Sequence, residues 1–372
     1  MKKQNIIFIL LILFIIGCNN ITGQSVYDVQ EYKIGAILPL TGDIAFIGLE
    51  MQRGIEIAVE EVNFRGGVNG KPINIIFEDD GFVEANKAVT ASQKLINFDN
   101  VYGNIITMVE DTKPVAPIHD QAKIPLITLW DVTDDLRDYS STFSIGFYTE
   151  KAGEKMANFA YNNLGLRNVA IIGHHDEWSL TISKAFDEEF TRLGGKIVFE
   201  DRLNVDEVDY RNSILKAKEK NIDGIYAPLL PPASANFFRQ KFQLNLNGII
   251  MSGDALTPDV WEISPEGVEG TYFTNVYETT NTKAIELKEK YKLKYREDPL
   301  AFPLVQMGYD SVLVYAEALK NTNTPAEVIE NLHSINNLEV SGPSITFDSD
   351  GMVDREEKIY QIQNGIDILI QE

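Results

Sequence analysis

KIGAILPLTGDIAFIGLEMQRGIEIAVEEVNFRGGVNGKPINIIFEDDG, residues 33–81, reads as one strand–loop–helix–turn–strand unit. Ile34, Ala36, Ile37 and Leu38 make a short apolar strand that Pro39 and the Thr41-Gly42-Asp43 turn close. Ile55, Ala58, Val59 and Val62 recur at helical spacing and share one buried face. Gly66-Gly67 stops the helix, Asn69-Gly70 makes a tight turn, and Ile73, Ile75, Ile76 and Phe77 form the next strand. Strand, helix, strand in this order requires a parallel pair with a right-handed crossover. Ligands of such α/β sheets bind at the carboxyl ends of the strands.

The same alternation continues downstream. Helices are expected at 84–98, 111–122, 150–164, 179–193, 210–220 and 233–242, with Asp111 as an N-cap and Pro114 in the first turn. Strands are expected at 101–107, 125–130, 143–147, 168–173, 196–200, 224–229, 248–252 and 270–277. The pattern restarts after residue 147, which predicts two successive α/β units, each with its own sheet. Long helices follow at 282–296 and 305–319. The tail carries strands near 344–347 and 358–363 around the Asp348-Ser349-Asp350-Gly351 turn.

Lys2 and Lys3 precede an apolar run, Ile6 to Ile16, that is short for a membrane span. With Gly17-Cys18 this describes a secretory signal, and Ile15-Ile16-Gly17-Cys18 resembles a bacterial lipobox. Residues 1–17 are expected to be a lipoprotein signal peptide, Cys18 the acylated residue, and 18–30 a polar tether to the membrane. Cys18 is the single cysteine, so no internal disulfide exists. The net charge of −22 over 372 residues disfavours nucleic acid and anionic lipid headgroups as partners, and the length exceeds one small core.

No catalytic constellation stands out. His174-His175-Asp176 is a weak metal candidate, because adjacent residues at a strand end point to different sides and no further ligands cluster nearby in sequence. Neither a Walker-type glycine loop nor a nucleophile elbow is present. The numerous carboxylates read first as a solvated acidic surface. No cofactor and no enzymatic activity are expected.

Gly35, Leu40-Thr41-Gly42, Gly48, Gly54, Ala58, Asn63, Gly66-Gly67, Gly70 and Asp79-Asp80 carry a resemblance. In this order they resemble the opening of the periplasmic leucine/isoleucine/valine-binding family, the branched-chain amino acid type of ABC-transporter solute-binding proteins. The resemblance covers nearly all of the chain after the tether. It implies a type I periplasmic-binding-protein fold: two Rossmann-like lobes joined by a three-stranded hinge. Lobe one would be residues 31–146 plus 277–340, and lobe two 147–276 plus 341–372, with crossings near Gly146, Val276 and Ser341. Closure of the lobes on a solute is the implied mechanism.

The resemblance also implies site residues. Asp254, in Met251-Ser252-Gly253-Asp254, stands where the family sets an acid against the ligand ammonium; its alternative is a helix N-cap before Leu256-Thr257-Pro258. Trp178 falls where an aromatic closes the cleft, Phe302 matches an apolar wall, Phe46 and Ile47 lie in a ligand-contacting first loop, and Leu230 replaces a frequent aromatic. Packing in the core is the alternative for these apolar residues. Two loops depart from the family's carboxylate grip. Val109, with Glu110 and Asp111 after it, stands where a serine is expected. Trp130-Asp131-Val132-Thr133 replaces a small Ala/Thr segment, with Val132 at the threonine position and Thr133 beside it. Glu110, Asp111 and Asp131 bring negative charge to the place of a ligand carboxylate. Trp130 and Trp178 suit a cation instead. The expected solute is therefore amino acid-like or amine-bearing, with a cationic group and without a required α-carboxylate. The expected partners are an ABC permease and the membrane through the lipid anchor. The alternative is a sensory binding protein that reports to a separate membrane receptor.

Overall fold

The computed structural model describes residues 30–42, 45–81, 84–231, 233–277 and 281–371. The signal peptide, Cys18 and nearly all of the tether lie outside the described residues. Among the described residues no helix is long and apolar enough to cross a membrane.

The chain opens with β1 (Tyr32–Leu38), α1 (Ala45–Phe64), β2 (Ile73–Asp79), α2 (Ala85–Lys94), β3 (Gly103–Ile106), α3 (Val109–Ala122), β4 (Leu126–Thr128), β5 (Asp131–Val132), β6 (Thr142–Ser144) and β7 (Phe147–Tyr148). A second series follows: α4 (Thr149–Asn158), β8 (Asn168–His174), α5 (Glu177–Arg192), β9 (Lys196–Leu203), α6 (Arg211–Lys218), β10 (Gly224–Tyr226), α7 (Ala233–Gln243), β11 (Ile249–Ser252), α8 (Pro258–Ile263), α9 (Pro265–Val268) and β12 (Tyr272–Asn275). It ends with α10 (Thr282–Tyr295), α11 (Phe302–Ala318), α12 (Pro325–His333), β13 (Lys358–Gln363) and β14 (Ile366–Gln371).

The first sheet is parallel, in the order β2-β1-β3-β4-β6. The second runs β14-β13-β12-β11-β10-β8-β9; it is parallel from β9 to β12, with antiparallel β13 and β14 added at one edge. Both parallel parts share one winding order, so the strand order reverses beside β1 and beside β8, and the loops at those carboxyl ends face the region between the sheets. Alternation along each strand builds two cores per sheet. Ile34, Ala36 and Leu38 face the core shared with α1 and α11, whereas Ile37 faces α2 and α3. Val169 and Ile171 join the first of these cores, and Ala170 and Ile172 face a separate one with α6 and α7.

The final helices pack on the first sheet's side. A Cβ at Gly54 would sit 2.0 Å from the Val305 carbonyl oxygen, and one at Gly308 would sit 2.0 Å from that of Met51, so α1 and α11 cross with backbones almost touching. Tyr309 Oη donates to Glu61 Oε2 at 2.7 Å, and Tyr291 Oη to Glu50 Oε1 at 2.8 Å.

Several local expectations change. Helix α3 starts at Val109, not after Asp111, because the Val109 N–H finds its acceptor 22 residues away, on Asp131. The strand expected at 143–147 is two short pieces, β6 and β7, split at Gly146, where a Cβ would lie 2.0 Å from the Trp130 carbonyl oxygen. The strand expected at 344–347 is reduced to a single bridge between Leu338 and Ile345. Residues 335–353 stay on the first sheet's side: Met352 bridges Ser144, Phe347 packs on Phe143, and Arg137 holds Asp348 and Asp350. The chain joins the second sheet at Lys358, later than a crossing at Ser341 would put it. Asn69 and Gly70 both take positive φ and close the expected tight turn between Val68 and Lys71.

Candidate functional site

Three strand ends place the central group. After β4, Trp130 N–H donates to Thr107 O and Phe147 N–H donates to Trp130 O, so the tryptophan backbone is held beside the parallel β5–β7 pair. After β8, Asp176 caps α5 by accepting the Ser179 N–H at 2.9 Å, which sets Trp178 in the first helical turn. After β11, Ser252 Oγ is tied to Ala227 O, and a Cβ at Gly253 would be 2.9 Å from the Trp178 ring; this residue must be small for Asp254 to approach.

Asp254 joins these elements. Its Oδ2 accepts from Trp130 Nε1 at 2.7 Å and its Oδ1 from Trp178 Nε1 at 3.1 Å. One indole comes from the first sheet and the other from the second, so the carboxylate is shared across the gap. Burial pushes Asp254 up to about 6, against the pull of the two indole donors and its own backbone N–H. Lys113 of α3 spans the same gap to Glu177 of α5, and also meets Asp135 at 3.3 Å.

The surroundings are acidic. Asp131 is 1% exposed; its Oδ1 accepts the Val109 N–H at 3.0 Å and its Oδ2 has no hydrogen-bond partner. Burial, then repulsion from Glu110 and Asp254, holds this carboxyl well above the ordinary range. Glu110 is pushed up to about 7 by burial and by Asp176 and Glu177 opposite, although its own and the Trp178 backbone N–H groups oppose the shift. Glu357, on the segment leading to β13, is buried with neither oxygen partnered; burial and Asp254 raise its pKa.

A cavity of about 150 Å³ opens beside Asp254. Its wall includes Trp130, Phe147, Trp261, Phe273, Phe302 and Tyr360, with Lys288 and Asp367 also lining it. Lys288 Nζ stands 5.8 Å from the centre of the Phe302 ring.

The structure thus brings Trp130, Trp178, Asp254, Asp131 and Glu110 together, with Phe302 on the cavity wall. Thr257, not Asp254, occupies the N-cap position of α8. The other expected residues are placed differently. Ile47 is packed in the core under α1, and Phe46 is only partly buried against it. Val109 and Val132 face the core behind α3, so only the Val109 backbone serves Asp131. Thr133 Oγ1 is taken by Asp135. The Leu230 N–H donates to His174 Nδ1 at 3.2 Å, so His174 Nε2 carries the proton and donates to Tyr210 Oη at 2.8 Å; the histidine is a brace between loops. Phe147, Trp261, Tyr360 and Glu357 were not foreseen. Val353, Arg355, Glu357 and Ile359 are buried between exposed Asp354 and Glu356, but the run of charges from 354 to 358 gives no sequence signal for the burial of Glu357.

A family profile described as Periplasmic binding protein matches residues 31–366. The Leu/Ile/Val-binding protein homolog 3 of Brucella melitensis is 24% identical over 329 residues, 86% of this chain and 88% of that protein. A leucine-binding protein structure from Thermotoga maritima is 28% identical with a TM-score of 0.81, covering 91% of this chain and 97% of that one. The branched-chain amino acid transporter substrate-binding protein of Streptococcus pneumoniae, solved with isoleucine, superposes with a TM-score of 0.84 at 23% identity, covering 92% of this chain and 100% of that one. With the shared winding of its two sheets, these matches establish that the chain belongs to the periplasmic binding protein family.

Proposed function

We propose that the protein is an extracytoplasmic, lipid-anchored solute receptor that closes two lobes on an amine-bearing, amino acid-like solute and hands it to an ABC permease without altering it chemically. Lobe one is residues 31–146 with the segment from 277 to about 353, and lobe two is 147–276 with the remaining tail. Cys18 carries the anchor. The observation that supports this most is Asp254, held from both sides of the cleft by Trp130 and Trp178. A carboxylate at that junction reports closure and offers a charged partner to an ammonium group, whose burial without one is costly.

The test is a thermal-shift screen of the purified protein against amino acids, amides and amines. A solute at 100 times its dissociation constant should stabilise by about 2.7 kcal/mol. Asp254→Asn should abolish the shift, with circular dichroism checking that the variant is folded. A solute that stabilises wild type and variant equally places the site elsewhere. Mass spectrometry of the recovered solute should find it unchanged; turnover would refute the receptor reading.

A further inference from the structure

We infer that the cleft is built for a compact aliphatic dication, a diamine, with one ammonium at Asp254 between the two tryptophans and the other at Asp131 and Glu110. This rests on the solute-receptor reading and specifies its ligand. Asp131 is almost fully buried, spends one oxygen on the Val109 N–H at 3.0 Å, and leaves Oδ2 without a hydrogen-bond partner. Glu110 Oε2 is likewise buried and unpartnered. Both carboxyls repel each other, and Asp131 also feels Asp254.

No ion pair among the described residues neutralises these three carboxylates. The lysine of the same helix, Lys113, is engaged by Glu177 and Asp135. A buried carboxylate without a cation takes up a proton or waits for a ligand. The raised values of Glu110, Asp131 and Asp254 fit an empty cleft in which protons stand in for positive charge.

The two acidic ends are also joined by the chain itself. Trp130 reaches Asp254 with its indole N–H at 2.7 Å, so Asp254 stands at the tip of a tryptophan whose backbone adjoins Asp131. A short methylene chain can lie along that apolar ring, with an ammonium group at either end. An α-amino acid fits poorly, since its ammonium at Asp254 would leave its carboxylate facing Asp131 and Glu110. A monoamine satisfies one end only.

The test is calorimetric titration of the full-length protein at pH 7.5 with putrescine, cadaverine, n-butylamine, L-leucine and benzoate. The expected result is at least tenfold tighter binding of a diamine than of n-butylamine, with no heat from leucine or benzoate. In Glu110→Gln the diamine advantage should fall toward one. Asp131→Asn should do the same, and Glu110→Gln keeps the test valid if loss of the α3 cap unfolds the other variant. Leucine binding without diamine binding overturns the dication but leaves the receptor reading standing. Diamine preference that both variants retain also overturns it. Failure of all five probes overturns the dication, and failure of the wider solute screen in addition removes the receptor reading.

Discussion

Glu110 offers a direct test of the closed, acidic cleft. Its carboxyl has an ordinary value near 4.5 when the chain is unfolded and about 7 in the folded protein, with burial as the main cause and Asp176 and Glu177 next. The folded state therefore binds a proton more tightly than the unfolded one. Glu110 imposes no penalty below about pH 4.5, and a growing one as pH rises through 7. The full difference is roughly 3 kcal/mol, an upper figure because Asp131 shares the same field. His119 works in the opposite sense. Burial pushes it down to about 4, so its contribution is present above about 6.5 and is lost as pH falls toward 4. The informative quantity is thus the difference between wild type and Glu110→Gln, in which the His119 effect cancels. Denaturant unfolding monitored by circular dichroism between pH 5 and 8, without ligand, should show the variant gaining on wild type as pH rises, by about 1–3 kcal/mol at pH 8. Parallel profiles would refute the placement of Glu110 against the second lobe.

Trp130→Phe keeps most of the ring and removes the Nε1 donor to Asp254; with a charged-group hydrogen bond worth about 1.5–3 kcal/mol, ligand affinity should fall by roughly tenfold or more in calorimetry. Small-angle scattering of the same variant should show a more open particle. Gly54→Ala or Gly308→Ala forces a methyl against a carbonyl at the α1–α11 crossing and should destabilise by about 1–3 kcal/mol or more in urea. Binding of a cationic ligand should release protons from Glu110, Asp131 and Asp254 near neutral pH, so the apparent enthalpy should depend on the ionisation enthalpy of the buffer. An enthalpy independent of the buffer would count against charge replacement in the cleft.

What the sequence made legible is local. The Ile34–Leu38 alternation, the Asn69-Gly70 turn and the 3.6-residue recurrence of Ile55, Ala58 and Val62 each follow from a few neighbouring residues, and the structure keeps them. Helix α12 was equally legible, since Thr324 and Glu327 form a capping box three residues apart, yet it was not anticipated. The remaining differences are non-local. The start of α3 depends on Asp131, the break at Gly146 depends on Trp130, and the cavity wall gathers residues from 130 to 367. Asp254 and Trp178 were identifiable by resemblance, and Trp130 by its departure from it. That the two indoles would share the two oxygens of one carboxylate depends on closure, which no local pattern encodes.

The crossing of α1 and α11 has a consequence for how the molecule is made. Glu61 meets Tyr309 across 248 positions of chain, and Gly54 meets the backbone of Val305. Contacts this distant form late, because the loop must close before they contribute. The half of the protein synthesised first is therefore completed last. Until residues 302–318 arrive, the side of α1 that meets α11 has nothing to cover it, and a chain cut short before that point lacks the helix that completes this layer over the first sheet. Slow completion of this kind would keep the polypeptide threadable, which would suit a chain that crossed a membrane before folding.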